Sequence, residues 1–151
     1  MVVSVVAAFC VPSLYAQGKN EREQWMTEIQ QYKRNYFAKE LGLSKEQQAR
    51  FFPLYEDMES ETRRLSEESR LMEKRVAEAP DATDLEYEKA TEAMFDSKVK
   101  EAAVEREYMD KFKEILSKKQ LFELKGVERK FSREMMRQHN RIRSSRMAES
   151  K

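Results

Sequence analysis

The segment LSKEQQARFFPLYEDMESETRRLSEESRLMEKRVAE, residues 43–78, decides the fold class. Apolar side chains recur along it at intervals of seven, at Phe51, Met58, Leu65 and Met72. This interval places them on one narrow stripe of an α-helix, and the charged residues between them indicate that the rest of the circumference faces water. The segment therefore predicts one long amphipathic helix.

The ends of this helix are also marked in the sequence. We expect it to begin at Ser44 and to end near Glu78, before the loop Ala-Pro-Asp-Ala at residues 79–82. Pro53 lies inside the segment and removes a backbone hydrogen bond, at a cost of about 3 kcal/mol unless the helix bends. We therefore expect a kink at Pro53.

Helical spacing on either side predicts three further helices. The first covers about residues 20–40 and ends at Gly42, the third begins near Thr83 with a capping box to Glu86, and the fourth begins at Ser117 and frays after Arg143. Their apolar positions are Trp25, Ile29, Tyr32 and Tyr36 in the first; Tyr87, Met94, Phe95, Val99, Ala102, Met109, Phe112 and Leu116 in the third; and Leu121, Leu124, Val127, Phe131, Met135 and Ile142 in the fourth. The predicted fold is all-α.

Long helices with thin apolar stripes favour an open, elongated arrangement. A helix of about 35 residues spans roughly 50 Å, which exceeds what a compact domain of this size needs. The 151 residues allow one domain, and only three glycines and three prolines interrupt the chain. We expect a homodimer, because a second copy would cover the apolar edges that one chain leaves exposed.

The N-terminal residues have the features of an export signal. Residues 1–17 carry no charge and contain an apolar run before Leu14-Tyr15-Ala16, which predicts cleavage after Ala16. The apolar run is about half the ~20 residues of a bilayer span, and Pro12 interrupts it, so we expect no stable membrane insertion after cleavage. Phe9 argues against lipidation of Cys10, the only cysteine, which cleavage would remove. The predicted organisation is a signal peptide at 1–17, a helical domain at 18–146 and a disordered tail at 147–151.

One short pattern occurs twice. Leu43-Ser44-Lys45-Glu46-Gln47 and Leu116-Ser117-Lys118-Lys119-Gln120 share the sequence Leu-Ser-x-x-Gln, and each follows a helical run that ends in leucine. The pattern predicts a capping box, in which the serine hydroxyl accepts from the N3 amide and the glutamine bonds the amide of the cap residue. Two independent helix caps would explain it equally well.

With its two motifs, the sequence resembles the Spy/CpxP family of periplasmic proteins, named for paired LTxxQ motifs. Ser44 and Ser117 stand where that family usually has threonine, which keeps the capping hydroxyl. The resemblance implies a curved four-helix fold, a cradle-shaped antiparallel dimer, and ATP-independent chaperone activity toward unfolded or partly folded clients in envelope stress. We expect no cofactor, and no glycine-rich phosphate loop is present to bind ATP.

Charge is segregated along the chain. Residues 56–107 hold seventeen acidic against nine basic residues, whereas residues 125–146 hold eight basic against two acidic. In the last helix Arg129, Arg133 and Arg137 form a ridge, with Met135 and Met136 beside it. We predict that these five residues bind clients, because methionine adapts to varied apolar partners and charge speeds encounter with acidic chains. The alternative is intramolecular: the basic helix lies beside acidic helices and sets their register and the dimer orientation.

Three other functions are less consistent with the composition. A metal-binding stress sensor or regulator, as in the CnrX and ZraP types of the same fold family, is the main alternative, but His139 is the only histidine and we predict no metal site. Nucleic acid binding fits neither export nor the net charge of +1. An enzyme would need an activated nucleophile or an acid–base pair, and no such arrangement is evident.

Overall fold

The computed structural model describes residues 14–149, with the side chains of residues 23–141 and of Ser144. The chain forms four helices, α1 (Leu14–Glu40), α2 (Lys45–Glu78), α3 (Asp84–Lys113) and α4 (Lys118–Glu149). The described residues contain no strand. The all-α fold with four long helices is therefore confirmed.

Two helix ends differ from the prediction. Helix α1 begins at Leu14 rather than near residue 20, and α4 continues to Glu149 rather than fraying after Arg143. No proline occurs in either extension, and the single glycine in α1 costs only about 1 kcal/mol, so neither extension contains a strong helix breaker. Of the predicted signal peptide, residues 1–13 lie outside the described residues, as do residues 150–151 of the predicted tail.

The described part of the chain divides into two compact units, with the boundary between Tyr36 and Phe37. Two contacts in the first unit join residues one turn apart on α1. The rings of Tyr32 and Tyr36 lie 6.4 Å apart, and Thr27 donates a hydrogen bond to the carbonyl of Glu23. Trp25 is exposed. These are the one-turn contacts expected along the surface of an α-helix.

In the second unit α2 and α3 form an antiparallel hairpin. Helix α2 passes through Pro53 without interruption, and the kink expected there stays a prediction. The hairpin turns at residues 79–83, where Thr83 caps α3. The Thr83 hydroxyl accepts from the Glu86 amide and the Glu86 carboxylate accepts from the Thr83 amide, so the predicted capping box is confirmed.

The open end of the hairpin holds an aromatic core. Phe51 is completely buried, and its ring centroid lies 5.3 Å from that of Tyr55 and 5.1 Å from that of Phe112. Phe37 from the last turn of α1 contacts Tyr55 at 5.2 Å and Phe131 of α4 at 5.8 Å. Tilted and edge-on ring pairs at these separations are favourable beyond the area that they bury. The core thus joins all four helices close to the two Leu-Ser-x-x-Gln motifs.

The hairpin tip, residues 65–97, is packed much more thinly. Its buried side chains are Val76, Ala90 and Ser97, and the Ser97 hydroxyl donates to the carbonyl of Leu65 at 3.1 Å. The apolar positions predicted for α3 therefore do not all pack against α2 in this half of the helix. Small residues of α3 pack against α2, and four large apolar residues of the predicted face are exposed: Tyr87, Met94, Phe95 and Val99.

None of the helices in the described part of the chain has an apolar stretch long enough to cross a bilayer.

Candidate functional site

The first Leu-Ser-x-x-Gln motif follows a tight helix end. Gly42 has a φ of +61°, a conformation that glycine adopts without strain. The Leu43 amide donates to the Ala38 carbonyl at 2.9 Å and the Gly42 amide to the Lys39 carbonyl at 3.3 Å, which is the hydrogen-bond pattern of a Schellman motif. Gly42 therefore ends α1 as predicted.

Both predicted capping boxes are formed. The Ser44 hydroxyl accepts from the Gln47 amide at 3.1 Å, and Gln47 Oε1 accepts from the Ser44 amide at 3.0 Å. At the second motif the Ser117 hydroxyl accepts from the Gln120 amide at 3.2 Å, and Gln120 Oε1 accepts from the Ser117 amide at 2.9 Å. The leucines before the serines, Leu43 and Leu116, are buried.

The two motifs, 73 residues apart in sequence, meet through their glutamines. Gln47 Nε2 donates to Gln120 Oε1 at 2.9 Å, and Gln120 Nε2 donates to Gln47 Oε1 at 3.2 Å. Each amide group also reaches the backbone before the other motif: Gln47 Nε2 donates to the Ile115 carbonyl at 2.9 Å and Gln120 Nε2 to the Leu41 carbonyl at 3.1 Å. The sequence predicted each cap but not this reciprocal pair.

This glutamine pair explains the choice of residue at the third helical position. Glutamate serves equally well in a capping box, as Glu86 does at the start of α3. Only an amide has both an oxygen for its own cap and two N–H donors for the opposite loop. The pair therefore ties the α1–α2 junction to the α3–α4 junction, beside the aromatic core. We call these two linked junctions the helix junction.

A polar cluster that the sequence did not predict borders the core. The Tyr55 hydroxyl donates to Glu128 at 3.2 Å, and Lys125 bridges Glu105 at 2.9 Å and Glu128 at 3.0 Å. Burial, reinforced by the neighbouring carboxylates of Glu128 and Glu59, raises the pKa of Tyr55 well above its usual range. The cluster holds α4 against α2 and α3.

The Lys125 ammonium group is charged in this cluster. Partial burial lowers its pKa, but hydrogen bonds to Glu105 and Glu128 outweigh that effect and raise the pKa above the usual value. Two carboxylates around one half-buried ammonium group stabilise its charged form. The cluster therefore holds a charged lysine between Glu105 of α3 and Glu128 of α4.

The predicted client-binding residues lie along α4. The three arginines, Arg129, Arg133 and Arg137, are exposed, Met136 is 61% exposed, and Met135 is half-buried. Their spacing of four places the arginines on one side of the helix. The structure thus places the arginine ridge and Met136 on an exposed face, with Met135 closer to the protein interior.

Sequence reasoning missed the apolar end of this face. Phe122 is 87% exposed, seven residues before Arg129 and therefore on the same side of α4. It lines an open groove with Gly126, Arg129 and Lys130. The available signal was a phenylalanine five residues after the predicted cap Ser117 that did not belong to the apolar positions predicted for α4. We call the surface formed by Phe122, Arg129, Arg133, Met136 and Arg137 the α4 face.

The same groove contains a glycine, Gly126, in the interior of α4. A glycine inside a helix costs about 1 kcal/mol relative to alanine, and a Cβ atom built there would have no neighbour within 4 Å. Packing within the chain therefore does not require a glycine. Its effect is to leave the backbone bare beside Phe122.

Two lysines, rather than the arginines of the α4 face, make the ion pairs from α4 to the other helices. Within the described part of the chain these pairs are Lys125 with Glu105 and Lys130 with Glu40, at 2.9 and 3.2 Å. Arg129, Arg133 and Arg137 have no ion-pair partner among the described residues. Ion pairs among the described residues therefore do not account for the arginine ridge.

The described residues contain no group of three or more histidine, cysteine or acidic side chains arranged to hold a metal ion. His139 is exposed on α4.

No protein-family model, curated protein or solved structure matches the chain. The resemblance to the Spy/CpxP family accordingly rests on the two Leu-Ser-x-x-Gln motifs, Leu43–Gln47 and Leu116–Gln120.

Proposed function

We propose that this protein is a periplasmic, ATP-independent chaperone that binds unfolded or partly folded polypeptides on its α4 face during envelope stress. The observation that carries the proposal is that Phe122 and Met136 are exposed on one side of α4, beside three arginines that have no ion-pair partner among the described residues. Unfolded chains offer both apolar and acidic groups, and this face complements both.

The chemistry of the α4 face suits weak and varied partners. Arginine side chains are weakly hydrated and can pair with carboxylates or stack on aromatic rings. Methionine adapts its shape to different apolar groups, and the bare backbone at Gly126 allows close approach to Phe122. A complex of micromolar affinity needs a binding free energy of only about 8 kcal/mol, so a deep pocket is not required.

The position of the face also supports the proposal. It lies on a helix that the aromatic core and the Tyr55–Glu128–Lys125 cluster hold from the opposite side. The binding groups can therefore exchange partners without disturbing the contacts that hold α4.

The decisive experiment is an aggregation assay with a chemically denatured client, without ATP. We expect the purified protein to suppress light scattering, and the triple variant Arg129→Glu, Arg133→Glu, Arg137→Glu to lose most of that suppression, by about tenfold in the concentration required. A circular dichroism melt checks that the variant is folded.

A matched control separates the α4 face from net charge. The variant Lys74→Glu, Lys89→Glu, Lys98→Glu changes the total charge by the same amount at exposed positions of α2 and α3. We expect it to suppress aggregation like the unmodified protein. Equal suppression by the folded arginine variant, or equal loss in the lysine control, would refute the assignment to the α4 face.

A further inference from the structure

The groove beside Phe122 on α4 is large enough to hold part of another molecule. It is open to solvent, has a volume of about 490 Å³, and is lined by Phe122, Gly126 and Val127 together with five charged side chains. Clefts of roughly 300–1,000 Å³ are the size at which proteins hold small ligands. We call this surface the Phe122 groove.

Four of the five charged side chains in the Phe122 groove are in ion pairs. These pairs are Glu40 with Lys130 at 3.2 Å, Lys125 with Glu105 and Glu128 at 2.9 and 3.0 Å, and Glu123 with Lys119 at 3.8 Å. Arg129 is the fifth, and it has no ion-pair partner among the described residues. The groove therefore presents one positive charge that the described part of the chain does not compensate.

The apolar part of the groove is an aromatic ring beside bare backbone. Phe122 is exposed, and Gly126 lies one turn after it, where a Cβ atom would have no neighbour within 4 Å. Phe122 makes no ring contact among the described residues. A second ring could lie against Phe122 and the backbone of Gly126 at once, and ring pairs are favourable beyond the area that they bury.

The apolar part and the charge of the groove are a short distance apart. Arg129 follows Gly126 by three residues, which is about 4.5 Å along the helix axis. In an extended chain, residues i and i+2 point to the same side and lie about 6.6 Å apart, whereas residues i and i+1 point to opposite sides. The long side chain of Arg129 spans the difference between these two distances. An aromatic and an acidic residue separated by one position can therefore both enter the groove, whereas directly adjacent ones cannot.

We propose that the Phe122 groove selects extended client segments in which an aromatic residue and an acidic residue are separated by one position, in either order. The aromatic ring packs between Phe122 and the backbone of Gly126, and the carboxylate accepts hydrogen bonds from the Arg129 guanidinium group. This inference rests on the proposed chaperone function, because it specifies which segments of an unfolded client the α4 face binds.

Other segments of an unfolded chain complement the groove less well. A purely apolar segment leaves the charge of Arg129 without a partner, and a purely acidic segment leaves the ring of Phe122 in water. A basic residue in place of the acidic one sets like charges against each other, which costs affinity.

Peptide binding measured by fluorescence anisotropy tests this preference. The probe is a labelled peptide of glycine and serine with Phe-Ser-Asp at its centre, and the comparison peptides carry Phe-Asp-Ser, Phe-Ser-Asn or Ala-Ser-Asp instead. We expect the probe to bind about tenfold more tightly than each comparison peptide, because each of these loses one of the two contacts. Equal binding of the four peptides, or no binding of the probe at about 1 mM, overturns the proposal.

A substitution that fills the groove tests where the peptide binds. Gly126→Gln should bind the Phe-Ser-Asp peptide about tenfold more weakly while its Tm rises, because glutamine favours a helix more than glycine does. Ser132→Gln, at an exposed position of α4 outside the groove, is the matched control and should bind within about twofold of the unmodified protein. Binding by folded Gly126→Gln that equals binding by Ser132→Gln overturns the assignment to the groove.

Removal of the charge tests the role of Arg129. Arg129→Gln should reduce the preference for Phe-Ser-Asp over Phe-Ser-Asn from about tenfold to less than about twofold. Lys89→Gln on α3 removes the same charge at an exposed position and should keep the preference. A preference that survives Arg129→Gln overturns the assigned contact.

Suppression of aggregation by the unmodified protein is measured separately from peptide binding. If suppression occurs while the four peptides bind equally, the preference of the groove is refuted and the chaperone proposal stands.

Discussion

The helix junction and the hairpin tip are built from similar helix caps but differ in how those caps are used. At the junction, Gln47 and Gln120 each complete a capping box and also bond the opposite motif. At the tip, Glu86 completes the capping box of Thr83 and makes no hydrogen bond or ion pair to another helix among the described residues. A carboxylate can only accept, whereas an amide accepts and donates. The residue at the third helical position therefore decides whether each of these caps is local or joins two parts of the fold.

The helix junction and the hairpin tip also differ in how many large side chains they bury. Aromatic rings surround Phe51 at the junction, while Val76 and Ala90 are the buried apolar residues near the tip. Elements with few buried contacts open at lower free energy than the core. We therefore expect hydrogen exchange to be slow around the junction and fast in the tip.

The largest predicted effect is at Phe51. Phe51→Ala removes a ring with complete burial, so we expect the free energy of unfolding to fall by about 4 kcal/mol, measured by urea denaturation. Val76→Ala at the tip removes only two methyl groups and should lower the free energy of unfolding by about 1 kcal/mol. Similar losses at the two sites would remove the distinction between junction and tip.

The next effect tests the glutamine pair. Gln47→Glu keeps an oxygen for the Ser44 cap but loses both donors and places a charge against Gln120 Oε1 and the Ile115 carbonyl. We expect a loss of about 3 kcal/mol in the free energy of unfolding. The reverse change at the tip, Glu86→Gln, should leave the urea midpoint almost unchanged. If Gln47→Glu and Glu86→Gln changed the free energy of unfolding equally, the glutamine pair would not contribute to the stability of the fold.

The smallest effect distinguishes the regions by their pH dependence. Because the pKa of Tyr55 is raised on folding, its contribution is complete below the unfolded pKa of about 10 and is lost as pH rises further. Tyr55→Phe should therefore lower the free energy of unfolding by about 1 kcal/mol at pH 8 and leave it unchanged near pH 11. Glu86 responds to acid instead of base. Its pKa is lowered on folding, so its contribution to stability is lost as pH falls through the folded pKa. A Tyr55→Phe difference that stays constant from pH 8 to pH 11 would contradict this assignment.

The parts of the fold that depend on neighbours in sequence could be predicted. Gly42, Ser44, Thr83 and Ser117 act within one turn of the helix ends that they mark, so their roles follow from local chemistry. The pairing of Gln47 with Gln120 joins residues 73 positions apart, and no local pattern specifies it.

Helix α3 shows why periodicity alone does not identify the face that packs against a neighbouring helix. Its large apolar residues Phe95 and Val99 recur at helical spacing, yet the packed face presents Ala90 and Ser97, whose small side chains fit beside α2. Hydrophobic periodicity identifies an apolar face without saying which partner covers it. The α4 face was predicted at its arginines because their charge is visible in the sequence, whereas the exposure of Phe122 depends on which side α4 turns toward the core.

The most direct test of the chaperone proposal is site-specific photo-cross-linking to a denatured client. A photoreactive phenylalanine analogue at position 122, on the α4 face, should capture the client, and the same group at position 71, equally part of an exposed surface but distant in sequence on α2, should capture little. Equal capture at both positions, or none at position 122 while aggregation is still suppressed, would contradict the account.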